Sequence, residues 1–327
     1  MKVFITGATG FLGRYAAREF YNKGYDMVLS GRNEGRLKKL QARYGCEIVT
    51  TDLSNIKDIS TDADFVVHCA ALSTVWGRWE DFYNINVKGT ENVIDFCKRN
   101  NIKRLVYVSS PSVYTEERDR FNIKEDNFNI HNELNFYIKS KILAENTVKK
   151  AEGLETVILR PRALFGIGDT SIIPRLIKAN RTIGIPLFNE GKNIVDITCV
   201  ENVAYALRKA CEEERAAGGV YNITNIEPCQ FKGILERLFA RLGEKAVYRK
   251  LPFKVFLCIA AVLEYVYKFF KIYKEPPITR YTVMTLGFSQ SLDCEAAKRD
   301  LNYTPQISIE EGINKYARYM RELKKRK

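Results

Sequence analysis

Three glycines spaced three apart, Gly7, Gly10 and Gly13, follow directly on the apolar run Val3-Phe4-Ile5. A buried run passing into glycines at this spacing predicts a parallel strand that turns sharply into a helix. The first glycine permits the tight turn, and the second lets a phosphate group approach the backbone. The third lets the helix pack close to the strand. The unpaired N–H groups at the start of such a helix attract an anion. The expected ligand is therefore a dinucleotide, held by its pyrophosphate.

The rest of the first half keeps the rhythm that this opening demands. Strand-length apolar runs fall at 2–6, 26–30, 47–50, 64–68, 104–109 and 155–160, and helical patterns at 11–23, 34–43, 79–100 and 135–151. Alternation of this kind predicts an α/β fold, a doubly wound parallel sheet of Rossmann type with helices on both faces. Ligands then bind at the carboxyl ends of the strands. After residue 165 the rhythm becomes irregular, although 195–198 and 220–223 still read as strands that return to the first domain. The expected division is an NAD(P)-binding domain over 1–165 with 195–225 returning to it. A smaller, mainly helical substrate lobe takes 166–194 and 226–327.

Composition narrows the setting. With 46% apolar and 28% charged residues the chain reads as a soluble globular protein. Its eight cysteines are scattered without close pairing, which suggests neither a disulfide framework nor a zinc site and fits reduced thiols in a cytoplasm. A strand starting at residue 2 leaves no room for a signal peptide. No metal site is expected: His68 sits in an apolar strand, as a core histidine would, and His131 lies in a polar loop without ligand partners. The net charge of +13, weighted toward the C-terminal half and ending in Arg321–Lys327, has no nucleic-acid-binding motif beside it. Attraction for anionic lipid or an anionic substrate is the expected consequence, with no nucleic-acid partner.

Tyr137 and Lys141 are four residues apart, so a helix places them on one face. A tyrosine normally titrates near ~10, and a neighbouring ammonium lowers that value. The same ammonium can hold a ribose hydroxyl. Tyr137 then exchanges a proton with a carbonyl or an alcohol. The strand before Ser109-Ser110-Pro111-Ser112 ends at the ligand-binding edge, where Ser110 can steady negative charge on oxygen. Ser109 and Ser112 compete for that role, and plain turn-forming serines are the bland alternative.

Taken together, these residues resemble an extended short-chain dehydrogenase/reductase. Thr6-Gly-Ala-Thr-Gly-Phe-Leu-Gly13 matches the superfamily's cofactor turn, which adds Thr9, Phe11 and Leu12 to the cofactor contacts. Thr51-Asp52-Leu53 matches the adenine side, and His68-Cys-Ala-Ala-Leu72 matches the segment that brings Ala70 and Ala71 beside the cofactor. Arg160-Pro161-Arg162 matches the segment flanking the nicotinamide, with Pro161 and Arg162 as contacts. The resemblance implies a catalytic Ser110, Tyr137 and Lys141, with Asn86 of Asn86-Val-Lys-Gly-Thr90 as a weaker fourth member. Within the superfamily, four stretches resemble the 3β-hydroxysteroid dehydrogenase group, which includes sterol-4-carboxylate 3-dehydrogenases and bacterial 2-alkyl-3-oxoalkanoate reductases. They are 71–79, 109–113, 160–169 and 193–198. This likeness implies hydride transfer at the 3-position of a lipophilic hydroxy or oxo compound, and a homodimer. The alternative is a nucleotide-sugar epimerase or dehydratase, which uses the same triad.

Two features refine the expectation. The second strand ends Leu29-Ser30-Gly31-Arg32 with no carboxylate, so NADP is preferred to NAD, with Arg32, Ser30, Arg36 or Arg14 facing the 2′-phosphate. The stretch 251–273 has a charge-free core of only nine residues, Val255 to Leu263, too short to span a bilayer. It reads either as an amphipathic helix packed on the substrate lobe or as an apolar lid that touches a membrane surface. Trp76, Trp79 and Ser112 are assigned to the substrate pocket.

Overall fold

Val3, Phe4 and Ile5 are all fully buried, which only a strand covered on both faces allows. The computed structural model describes residues 1–325 and places that strand, β1 (Lys2–Thr6), inside a seven-stranded sheet. The others are β2 (Asp26–Gly31), β3 (Glu47–Thr50), β4 (Phe65–His68), β5 (Arg104–Val108), β6 (Glu155–Pro161) and β7 (Val220–Ile223). The order across the sheet is β7-β6-β5-β4-β1-β2-β3, and every pairing is parallel. Successive strands are added outward in one direction from β1 and in the opposite direction from β4, so the crevice for a ligand opens at the carboxyl ends of those two parallel strands.

The two faces follow the pleat of β1. Val3 and Ile5 face a core made with α1 (Phe11–Asn22), α2 (Glu34–Tyr44) and, later in the chain, Val203 and Leu207. Phe4 faces the opposite core, against Val93, Phe96, Ala144 and Val148. The expected single helix over 79–100 is divided. α3 (Trp79–Phe82) runs through a π-helical turn, Tyr83–Lys88, into α4 (Gly89–Arg99). Such wide turns cluster at functional sites, and this one carries Asn86. α5 (Phe136–Lys149) brings Tyr137 and Lys141.

A second hydrophobic core is built by α6 (Ile173–Arg181), α8 (Phe231–Leu242) and α12 (Ile309–Lys325), and a smaller one by α9 (Phe253–Phe269) and α10 (Arg280–Gly287). Two further helices, α7 (Val200–Glu212) and α11 (Glu295–Leu301), pack back on the first core. The expected strand 195–198 does not join the main sheet. Val195 pairs with Gln290 in a small four-stranded sheet, whereas Thr198 pairs with Leu164. Asp196 separates the two pairings because its carboxylate turns inward to accept the Leu292 N–H at 2.7 Å. Arg120–Ile123 joins the same small sheet. Of the basic tail, Arg326 and Lys327 lie outside the described residues.

Candidate active site

The glycine turn is closed tightly enough to explain all three glycines. Gly7 has φ +65°, and a Cβ there would lie 2.7 Å from the Ala70 nitrogen. A Cβ at Gly13 would overlap the Gly7 carbonyl oxygen. Gly10 donates its N–H to Gly7 O at 2.9 Å and opens α1 with no side chain over the helix end. Ala70 is drawn in by Thr6, whose hydroxyl accepts the Ala70 N–H at 3.3 Å and bonds His68 Nδ1 at 2.7 Å. Burial drives His68 down to about 3, with the Lys141 charge adding to the effect, so the ring is neutral and structural. A cradle that any Cβ would fill, facing an open helix N-terminus, fits a dinucleotide pyrophosphate. Thr9, Phe11, Leu12, Ala70 and Ala71 border it, each at least partly exposed.

On the adenine side Arg32 follows β2 and is highly exposed, with its guanidinium 4.0 Å from the Asp52 carboxylate. Arg36 and Arg14 are exposed as well, and Arg14 Nε donates to Gly10 O at 3.2 Å. Ser30 is buried within β2, which removes it from the groups that can meet a phosphate. Leu53 packs against Gly89, where a Cβ would approach it to 2.8 Å.

β5 delivers the serines and α5 the tyrosine and lysine. Ser110 caps the 3₁₀ turn Pro111–Tyr114, its hydroxyl accepting the Ser112 N–H at 3.2 Å. Asn135 caps α5 by accepting the Ile138 N–H at 2.8 Å, which fixes where Tyr137 emerges. Burial pushes the Tyr137 hydroxyl up to about 12, Ser110 beside it acts downward, and Tyr281 adds to the rise. The expected effect of Lys141 on that phenol is corrected by the structure. The Lys141 ammonium donates to Val108 O at 2.8 Å and to the Tyr107 hydroxyl at 3.1 Å, and burial lowers it to about 8. Two side chains on one helix face need not touch when a strand carbonyl lies closer.

The competing serines separate. Ser109 is buried and donates to Glu145, which also pairs with the fully buried Arg160. Arg160 reaches the Tyr114 hydroxyl in turn. Ser112 is buried with its hydroxyl unpartnered, and it is not part of the cavity wall. Asn86 spends its side chain on the protein. It accepts the Leu72 N–H at 2.7 Å and donates to Leu72 O at 3.0 Å and Ser140 Oγ at 2.9 Å. That makes it a tie between the 70–79 loop and α5.

Arg162 follows Pro161 at the end of β6. Its side chain is only 5% exposed, and its buried Nε has no hydrogen-bond partner. Burial lowers its pKa, and Tyr281 and Asp196 oppose this. Asp196 itself is pushed up to about 6 by burial. The next residue, Ala163, holds a strained φ of +43°. A buried guanidinium with an orphaned donor marks a place for a ligand oxygen.

A cavity of about 280 Å³ opens beside Tyr281 and is walled by Trp76, Trp79, Phe136 and Tyr267, with Arg78 and Lys268 at its margin. Trp76 Nε1 donates to Ile272 O at 2.9 Å and ties the 70–79 loop to the segment after α9. Tyr281, Glu145 and the carbonyl of Val108 were not legible as site groups in the sequence, since no spacing or motif links them to Tyr137. Among the described residues no cluster of histidine, cysteine or carboxylates fits a metal ion.

The NAD dependent epimerase/dehydratase family profile matches residues 3–224, and this chain belongs to that family, as an extended short-chain dehydrogenase/reductase. It is 33% identical to the uncharacterized protein YbjS of Escherichia coli, covering 98% of both chains. It is 33% identical to a 2-alkyl-3-oxoalkanoate reductase of Shewanella oneidensis, over 95% of this chain and 84% of that one. A mouse sterol-4-alpha-carboxylate 3-dehydrogenase, decarboxylating, is 29% identical over 100% of this chain and 92% of its own. The fold is also that of UDP-glucuronic acid 4-epimerase from Bacillus cereus, solved in complex with NAD. That match has a TM-score of 0.77 at 21% identity and covers 99% of each chain.

Proposed function

We propose that this enzyme reduces the 3-oxo group of a lipophilic substrate, or oxidises the matching 3-hydroxy group, with NADP as the preferred cofactor. The observation that carries the reading is the neighbourhood of Ser110, Tyr137 and Tyr281, the last of which lines a cavity walled by Trp76, Trp79, Phe136 and Tyr267. Aromatic walls suit a hydrocarbon skeleton. The names of the Shewanella and mouse relatives point the same way.

When bound, the cofactor supplies a hydride to the carbonyl carbon. Ser110 donates to the substrate oxygen and steadies its growing negative charge. Tyr137, protonated across the physiological range because its hydroxyl titrates near 12, gives that oxygen its proton. Lys141 would hold a cofactor hydroxyl, and Asn86 ties the 70–79 loop to α5. Arg162 offers its orphaned donor to the nicotinamide side, and Arg32 with Arg36 meets the 2′-phosphate. Residues 166–194 and 226–325, apart from α11, which packs on the first core, serve as the substrate lobe.

The test is oxidation of NADPH and NADH against a 3-oxosteroid, a long-chain 2-alkyl-3-oxo acid and a UDP-sugar. Faster consumption of NADPH with either lipophilic ketone supports the reading and chooses between the two skeletons. Conversion of the UDP-sugar with both ketones inert would transfer the chain to epimerase or dehydratase chemistry.

A further inference from the structure

Among the described residues, nine of the seventeen exposed large hydrophobic side chains lie between Val255 and Tyr273. On α9 they form one stripe: Val255, Ile259, Val262, Val266 and Phe269 recur at alternating steps of four and three, with Tyr265 alongside. Val262 is 62% exposed, and Tyr265 and Phe269 are each 70% exposed. The buried side of the same helix carries Ala260 and the carboxylate Glu264, which accepts the Arg280 N–H at 2.7 Å and Arg280 Nε at 2.8 Å. Phe253, Phe256 and Leu257 also pack inward around Phe188, so α9 is apolar on both sides where the usual surface helix turns a polar face to water. These contacts and the Glu264–Arg280 pair hold the helix on the body while a second apolar face points outward.

Lysines flank the stripe: Lys254 stands at its start, Lys268 beside its last residue Phe269, and Lys271 and Lys274 beyond it, all exposed. The one carboxylate on α9 is the buried, paired Glu264. A second copy docked through a two-fold axis would bring like-charged lysines together. An anionic bilayer meets both features, taking the stripe into its acyl boundary and the lysines at its headgroups. At 17 residues the helix is about 26 Å long, and no helix of the described residues is long and apolar enough to cross a membrane. It suits lying on the surface. Tyr267, Lys268, Lys271, Ile272 and Tyr273 also wall the cavity, so its mouth opens at the end of the stripe.

We infer that α9 and the turn through Lys274 dock flat on an anionic lipid bilayer, with the cavity mouth at the interface, so that substrate enters from the lipid. The inference rests on the lipophilic-substrate reading for its purpose but not for its test. The full chain is sedimented with vesicles of phosphatidylcholine alone and of phosphatidylcholine with an equal share of phosphatidylglycerol. The wild type should partition onto the anionic vesicles more strongly than onto the neutral ones. Val262→Glu with Phe269→Glu should weaken partitioning on both by ~tenfold or more. Lys254→Glu with Lys274→Glu should weaken it at least ~fivefold on anionic vesicles and leave the neutral ones unchanged.

None of these four residues walls the cavity, so reduction of a water-soluble ketone should be unchanged in both variants. Turnover of a vesicle-embedded ketone should fall. A wild type that stays in the supernatant with both vesicles overturns the inference. So does a Val262→Glu/Phe269→Glu protein that converts a dimer to a monomer while sedimenting like the wild type, since a second copy would then cover the stripe. Vesicle binding without consumption of NADPH on any ketone would leave the docking standing and remove the reductase reading alone.

Discussion

Lys141 donates to the carbonyl oxygen of Val108 at 2.8 Å, so the ammonium is held by the end of β5 and not by the phenol one helical turn before it. The contact stores the cation beside the cofactor crevice in a site dry enough to lower its pKa to about 8. Burial is the first cause, and Glu145 and Cys69 pull the other way. Binding that needs the charged form is therefore strongest below pH 8. NADPH affinity, measured by fluorescence titration, should weaken as the pH rises through about 8. In Lys141→Met the affinity should be lower at every pH and the inflection absent. A wild-type affinity flat from pH 6 to ~10 would show that the ammonium does not contact the cofactor.

Tyr137→Phe removes the hydroxyl proposed as proton donor and leaves the ring. Single-turnover reduction should slow by ~10²–10⁴-fold, while NADPH affinity stays close to wild type. Because the hydroxyl titrates near 12, no loss of the acid form should appear below that range in the wild type. Survival of most of the activity in the variant would remove Tyr137 from the proton transfer.

Arg160 and Glu145 are both essentially inaccessible to solvent, and Ser109 and Tyr114 bond to the same pair. Glu145→Gln keeps the shape and strands the guanidinium in the core. The urea midpoint should fall by the equivalent of ~3–5 kcal/mol. A midpoint within error of the wild type would mean that Tyr114 and the Glu125 carbonyl, which also accepts from Arg160, satisfy the charge alone.

The proposed preference for NADP is tested at Arg32. Arg32→Asp places a carboxylate where β2 ends, near the existing Asp52. The ratio of kcat/KM for NADPH to that for NADH should drop ~tenfold or more, mostly through the NADPH term. An unchanged ratio would mean that the 2′-position lies elsewhere.

Gly13→Ala tests the third glycine. Its Cβ would overlap the Gly7 carbonyl oxygen and approach Ala8 Cα to 2.8 Å, so α1 must shift away from β1. Cofactor binding and the thermal midpoint should fall together. Gly24→Ala, at an open positive φ of +76°, should lower the midpoint slightly without touching cofactor binding.

The sequence by itself determined the order of strands and helices in the first half of the fold and pointed to Ser110, Tyr137 and Lys141 as candidates for the site. Strands at 2–6 and 220–223 stand at the expected residues, because buried parallel strands announce themselves as local apolar runs. The glycine turn was equally legible, since its constraint lies within seven residues, Gly7 to Gly13. What only the tertiary structure decided depends on which segments become neighbours. It broke the helix over 79–100 at the π turn and sent Val195 to a small sheet, where Asp196 found the Leu292 N–H. It gave Lys141 to Val108, and it joined Ser109, Glu145 and Arg160 across positions far apart in the chain. Hydrophobic periodicity reports the face a residue presents. The partner it meets there is set by the packing of strands and helices that no local pattern encodes.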